Sequence, residues 1–214
     1  MKNKTKAEIA SFIDMYKVVN LEALKRNFRK YTPNTIHQAT TFLWKSNTIK
    51  FKSFKKNDLQ CIYFSNLFNP TLSKDVFGHS FASYMSALSL LGDLRNFFQI
   101  TYESPAYFPV AIKFGFVNKG EPDAAQNNAQ IISVPFSYDD EAFKKIGVLL
   151  DKNYDDMYKP YRFVLLESRA LTKGDYPQRI AKYIPRIAQF AIFNPEENTY
   201  NYFTPQELGV TNTV

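Results

Sequence analysis

The stretch that decides the fold spans residues 32–56 and reads TPNTIHQATTFLWKSNTIKFKSFKK. Thr32 followed by Pro33 is a helix start: a threonine hydroxyl can accept from an unpaired first-turn amide, and a proline at the first helical position has no amide to leave unpaired. Ile36, Ala39, Thr40 and Leu43 then recur at helical spacing, which predicts an amphipathic helix ending near Ser46. Its polar face carries Asn34, Thr35, His37, Gln38, Thr41 and Lys45. The period then switches to two, with Ile49, Phe51 and Ser53 alternating with Lys50, Lys52 and Phe54, which predicts a strand.

Outward from that stretch, a second strand over 59–64 follows the turn-forming Lys56, Asn57 and Asp58 and closes a hairpin. Upstream, Ile9, Phe12, Ile13, Tyr16 and Val19 predict a helix over 6–19. Asn20 caps a shorter helix that has Leu21, Leu24 and Phe28 on one face and Lys25, Arg26, Arg29 and Lys30 on the other. Three helices followed by a hairpin with a basic tip is the order of a winged helix-turn-helix, whose third helix enters the major groove while the hairpin wing follows the backbone.

Charge supports that order. Residues 1–70 hold 13 Lys+Arg against 4 Asp+Glu, a net of +9, and residues 71–214 hold 14 against 16, a net of −2. A basic module joined to a near-neutral one is expected to take a polyanion, here double-stranded DNA. Asn and Gln can bond adenine bidentately and Thr can touch a thymine methyl, so the polar face of the third helix has base-reading chemistry. Lys50, Lys52, Lys55 and Lys56 are placed to neutralise phosphates. Simpler readings stand beside these. Trp44 is read as core packing or a helix-to-hairpin contact rather than a base-stacking residue, and His37 as a solvated side chain. The hairpin lysines also suit an edge strand guarded against aggregation.

From residue 71 onward the pattern is a helix over 77–98 and strands over 98–103, 109–117 and 129–138. A helix capped by Asp139 follows, with Phe143, Ile146, Leu149 and Leu150 on one face; then come a strand over 161–167, a helix over 175–183 and a strand or hairpin over 188–203. The expected fold class is α+β, a winged helix-turn-helix domain over 1–70 and a mixed-sheet domain over 71–214 whose α-β-β-β-α-β order is restriction-endonuclease-like. With FGHSF at 77–81, Pro122–Asp123, and DDEAFKKIGVLLDKNYDDMYKPYRFVLLESR at 139–169, nearly the whole chain resembles the replication-relaxation family of plasmids and integrative elements in low-GC Gram-positive bacteria. The resemblance implies DNA binding in the replication or mobilisation of such elements.

Several chemistries lack their residues. The chain has 7 glycines and neither GxGxxG nor GxxxxGK[ST]; one cysteine, Cys61, and two distant histidines, His37 and His79, supply no metal motif. A metal-dependent nuclease of this fold needs an Asp and then, on the next strand, a carboxylate two residues from a Lys. Asp123 can be the first, but the next strand reads IISVPFSY, with Ser133, Val134 and Pro135 in the decisive positions. Asp139, Asp140, Glu141 and Lys144 come too late and suit a helix start. No catalytic residue, metal or cofactor is expected, Cys61 is read as structural, and Asp155 and Asp156 as loop residues. No leader or membrane span is read, so a cytoplasmic protein is expected. The second domain is expected to self-associate or to hold a replication or transfer protein. The rival readings are a transcriptional regulator with a sensing or dimerisation domain, and an endonuclease with an unrecognised carboxylate set.

Overall fold

Helix α1, Lys2–Tyr16, buries Ile9, Phe12, Ile13 and Tyr16 along one stripe. It stops at Lys17, whose φ of 65° is left-handed, and the chain enters a three-residue strand, β1, Val18–Asn20. The helix expected over 6–19 therefore starts and ends earlier, and Val18 and Val19 are buried in a sheet instead. The computed structural model of the chain describes residues 2–54, 60–67, 79–95, 98–105, 110–118, 127–134, 138–152, 161–172 and 174–211.

Asn20 accepts from the Ala23 amide at 2.8 Å and starts α2, Leu21–Asn27. Thr32 accepts from the Thr35 amide at 3.2 Å, and Pro33 opens α3, Pro33–Lys45. Both caps are those the sequence predicts. Strands β2, Ile49–Phe54, and β3, Gln60–Ser65, pair antiparallel with Phe51 opposite Tyr63. The sheet order is β1-β3-β2, with Val19 opposite Tyr63 on the other side of β3.

Helix α4, His79–Leu94, buries Tyr84, Met85, Ala87, Leu88, Leu90, Leu91 and Leu94. It is tied to the elements before it. The Tyr84 hydroxyl donates to the Tyr16 carbonyl at 2.8 Å, and the Asn27 amide group donates to the Leu88 carbonyl at 3.0 Å. A Cβ on Gly92 would stand 2.7 Å from the Arg26 carbonyl carbon, so only glycine allows that approach. Beneath this helix Arg26 and Asn27 are buried, which corrects the solvent-facing position expected for Arg26. For the same reason the chain divides into Met1–Gly92 and Asp93–Val214, inside α4 rather than at residue 70. The charge asymmetry survives the change: residues 1–92 hold 14 Lys+Arg against 5 Asp+Glu, and residues 93–214 hold 13 against 15, again +9 and −2.

Among the described residues the second unit has six strands: β4, Phe98–Pro105; β5, Val110–Asn118; β6, Asn127–Val134; β7, Tyr161–Leu166; β8, Ile187–Asn194; and β9, Thr199–Phe203. They lie side by side in chain order, with β6, β7 and β8 parallel and the outer pairings antiparallel. Helix α5, Asp140–Lys152, carries the chain from β6 to β7, and α6, Tyr176–Ala181, lies between β7 and β8. Ile132 and Val134 of β6 and Val164 and Leu166 of β7 pack with Phe143, Ile146 and Leu150 of α5 and Tyr176 and Ile180 of α6. Asp139 accepts from the Ala142 amide at 2.9 Å and Glu141 pairs with Lys145 at 2.8 Å, as the spacing predicts. Leu149, expected on the apolar face, is 41% exposed, because it lies at the edge of the Phe143–Ile146–Leu150 stripe. Among the described residues the chain is a mixed α+β protein with a three-stranded and a six-stranded sheet.

Candidate nucleic-acid interface

Ile36, Ala39, Thr40 and Leu43 fix how α3 is rotated, since all four are buried. The Thr40 hydroxyl donates at 3.3 Å to the Tyr63 phenol oxygen, which sets that side of the helix on the α3-facing surface of the sheet. At about 100° per residue, Asn34, Gln38, Thr41 and Lys45 then fall on one ridge opposite the core. Asn34, Gln38 and Lys45 are exposed and Thr41 is half-buried. His37 is exposed on the flank nearer the hairpin, while Thr35 serves the helix start, its hydroxyl 2.9 Å from that of Thr32. Four of the six helix residues singled out from sequence thus form one outward line. His37 stands beside it, and Thr35 is engaged in the cap.

The hairpin lysines do not extend that line. Phe51 packs against Tyr63 at 5.5 Å between ring centroids and against Trp44 of α3 at 5.4 Å, so the Phe51 side of β2 faces the helix. Alternation puts the exposed Lys50 and Lys52 on the other side of the strand. Lys55 and Lys56 lie outside the described residues, as do Pro122, Asp123, Pro135, Asp155 and Asp156.

Acidic side chains near this surface are engaged within the unit. Glu8 holds the Lys30 ammonium at 2.7 Å and accepts from the Tyr31 hydroxyl at 2.8 Å. The bond from Lys30 is the main cause that keeps the Glu8 carboxyl below the usual carboxylate range. Asp14 accepts from Ser65 at 2.6 Å, and Glu22 pairs with Lys25 at 2.6 Å. Helix α3 itself contains no Asp or Glu. Burial pushes the Tyr63 phenol above its ordinary pKa, so it stays a neutral hydrogen-bonding partner for Thr40.

Two ring-bearing flanks were not foreseen from the sequence as surface features. Trp44 is 45% exposed and Phe42 is 50% exposed, on opposite sides of the ridge. The Lys6 ammonium lies 3.2 Å above the centre of the Phe42 ring. Trp44 is therefore the helix-to-hairpin contact the sequence allows, with nearly half of its surface left to solvent.

In the second unit, Ser133 is half-buried and Val134 buried in β6. Asp139 caps α5, and Asp140 accepts from Arg179 at 2.7 Å. Among the described residues no three His, Cys, Asp or Glu side chains are grouped as a metal site. Cys61 is partly exposed on β3. Arg162 is buried on β7, donating to Gln130 at 3.2 Å and to the Pro185 carbonyl at 2.6 Å. Among the described residues no helix is long and apolar enough to cross a membrane. No protein-family model, no curated protein and no solved structure significantly matches the chain.

Proposed function

We propose that residues 1–92 are a winged helix-turn-helix module that binds double-stranded DNA through α3. The carrying observation is the outward ridge Asn34–Gln38–Thr41–Lys45, free of acidic residues, in a unit of net charge +9. The element order α1-β1-α2-α3-β2-β3 and the antiparallel sheet β1-β3-β2 support the winged-helix reading. In a major groove, Gln38 and Asn34 are suited to adenine edges, Thr41 to a thymine methyl, and Lys45 to a phosphate at the groove edge. Lys50 and Lys52 belong to an edge strand, and their long stems carry charge to phosphates around that edge. The second unit is read as a restriction-endonuclease-like domain that acts without catalysis, by self-association or by holding a replication or transfer protein. The order α4-β4-β5-β6-α5-β7 supports that reading. With the family resemblance, the proposed setting is cytoplasmic replication or mobilisation of a plasmid or integrative element.

Binding of the full chain to a pool of duplexes at two salt concentrations tests the central claim. Affinity should fall steeply as salt rises, since each neutralised phosphate contributes a log–log slope of about −0.9. Absence of binding at about 50 mM salt, where basic DNA-binding modules retain non-specific affinity, sinks the proposal. Supercoiled plasmid incubated with the protein and Mg²⁺ or Mn²⁺ should stay supercoiled. Nicking that is abolished by Asp123→Ala would establish an endonuclease instead.

A further inference from the structure

We propose that Trp44 and Phe42 are stacking platforms for unpaired bases, so that the α3 surface prefers DNA whose strands are opened, at a fork, a bubble or a single-stranded tail, over uninterrupted duplex. This rests on the DNA-binding reading above and narrows its substrate.

Core packing accounts for Ile36, Ala39, Thr40 and Leu43, and contact with Phe51 accounts for part of Trp44, yet Phe42 stays 50% and Trp44 45% exposed to water. At about 100° per residue the two rings lie roughly 160° apart, one on each flank of the ridge. In a closed major groove the flanks of a reading helix meet sugar and phosphate. Charge and hydrogen-bond donors are useful there. A phenyl ring offers neither, whereas its face, like that of an indole, stacks on any unpaired base.

The indole is also held in place. Trp44 leans on Phe51 at 5.4 Å, and Phe51 leans on Tyr63, which is only 3% exposed, so the indole is the outer member of a row of rings rooted in the core. A side chain restrained in this way loses little freedom when a base covers it. On the other flank, the Lys6 ammonium covers one face of the Phe42 ring at 3.2 Å, so a base stacking on that face displaces this flexible side chain, whose charge is then available to the nucleotide's phosphate. Charge selects the occupant. A unit of net +9 whose α3 carries no carboxylate suits a polyanion better than an apolar protein surface.

The test uses the chain's own optics, because Trp44 is its single tryptophan. The full chain is titrated with a blunt duplex, the same duplex with an unpaired central bubble, the same duplex with a single-stranded tail, and the single strand alone. Tryptophan emission and the anisotropy of labelled DNA are followed together. The bubble and the tailed duplex should bind at least about fivefold more tightly than the blunt duplex, the low end of what one base–aromatic stack contributes. Trp44 emission should be quenched as they saturate. Phe42→Ala and Trp44→Ala, read by anisotropy, should each erode that preference while leaving blunt-duplex affinity within about twofold, since a ring that stacks only on unpaired bases adds nothing to closed duplex. Unchanged circular dichroism shows that these half-exposed positions tolerate truncation. Equal affinity for open and blunt DNA, or full binding with unaltered Trp44 emission, overturns the proposal. A blue shift of Trp44 emission with rising protein concentration in the absence of DNA assigns the rings to self-association and overturns it as well. Failure of all four DNAs to bind removes the DNA-binding reading itself, whereas salt-sensitive binding without preference removes only the stacking.

Discussion

Gln38 and Lys45 share one ridge of α3 but differ in the chemistry they offer, and that difference is measurable. Gln38→Ala should weaken binding to a preferred site more than to random DNA, by roughly 1–3 kcal/mol of lost discrimination if the amide bonds an adenine bidentately. Lys45→Ala should weaken both about equally and lower the salt slope by about 1. Equal losses in discrimination for the two variants would take base reading away from α3. A second residue-scale prediction concerns Glu8. Lys30 and Tyr31 hold its folded-state pKa below the ordinary value, so its stabilisation is complete above the unfolded carboxylate pKa and fades as pH falls through the folded one. Glu8→Gln should therefore cost about 0.5 kcal/mol at neutral pH, in the range of partly exposed ion pairs. The difference in melting temperature between the two proteins should close as pH drops below about 4. A constant gap down to strongly acid pH would mean that the carboxylate charge contributes nothing.

At the scale of elements, the helix starts and one close approach to a helix carry the predictions. Thr32→Ala removes the acceptor for the Thr35 amide and should cost about 1 kcal/mol in denaturant unfolding. Gly147 lies where α5 meets the Tyr183 carbonyl, and an added Cβ would collide with that oxygen. Gly147→Ala should thus destabilise by about 1–3 kcal/mol, although alanine is the better helix former by about 1 kcal/mol. A stabilised variant would show that the two segments can part without loss. These features were legible in the sequence wherever a side chain announces its own local role: Asn20, Thr32 and Asp139 are cap residues by chemistry, and the switch of period after Ser46 marks the hairpin. Other features depend on distant partners. Nothing at Lys17 signals a stop, because a lysine occupies the left-handed conformation that glycine usually announces, and Val18 and Val19 simply continue an apolar run. Arg26 reads as solvent-facing until α4 lies over it. Of the candidate site, the ridge on α3 followed from period alone, whereas the exposure of Trp44 and Phe42 and the reversed facing of Lys50 and Lys52 depend on how the hairpin meets the helix.

At the scale of the molecule, the division inside α4 predicts which fragments fold. Residues 1–92 keep the bonds from Tyr84 to Tyr16 and from Asn27 to Leu88, and residues 1–70 lose both along with the cover over Arg26. The longer fragment should unfold cooperatively and the shorter should not, a comparison that thermal circular dichroism decides. Equal cooperativity would make α4 dispensable to the first unit. The strand order β1-β3-β2 also sets a timetable for folding. The β2–β3 hairpin joins near neighbours in the chain, but β1 must wait for a partner that follows two helices and another strand, with Val18 meeting Phe64. Contacts so far apart in sequence form late, since the intervening loop has to be closed first. Trp44 docks on Phe51 within the early part of that schedule. In a refolding experiment its emission should settle while the amides of β1 still exchange with solvent, so the one tryptophan times the docking of the hairpin and leaves the closing of the sheet to be read by hydrogen exchange.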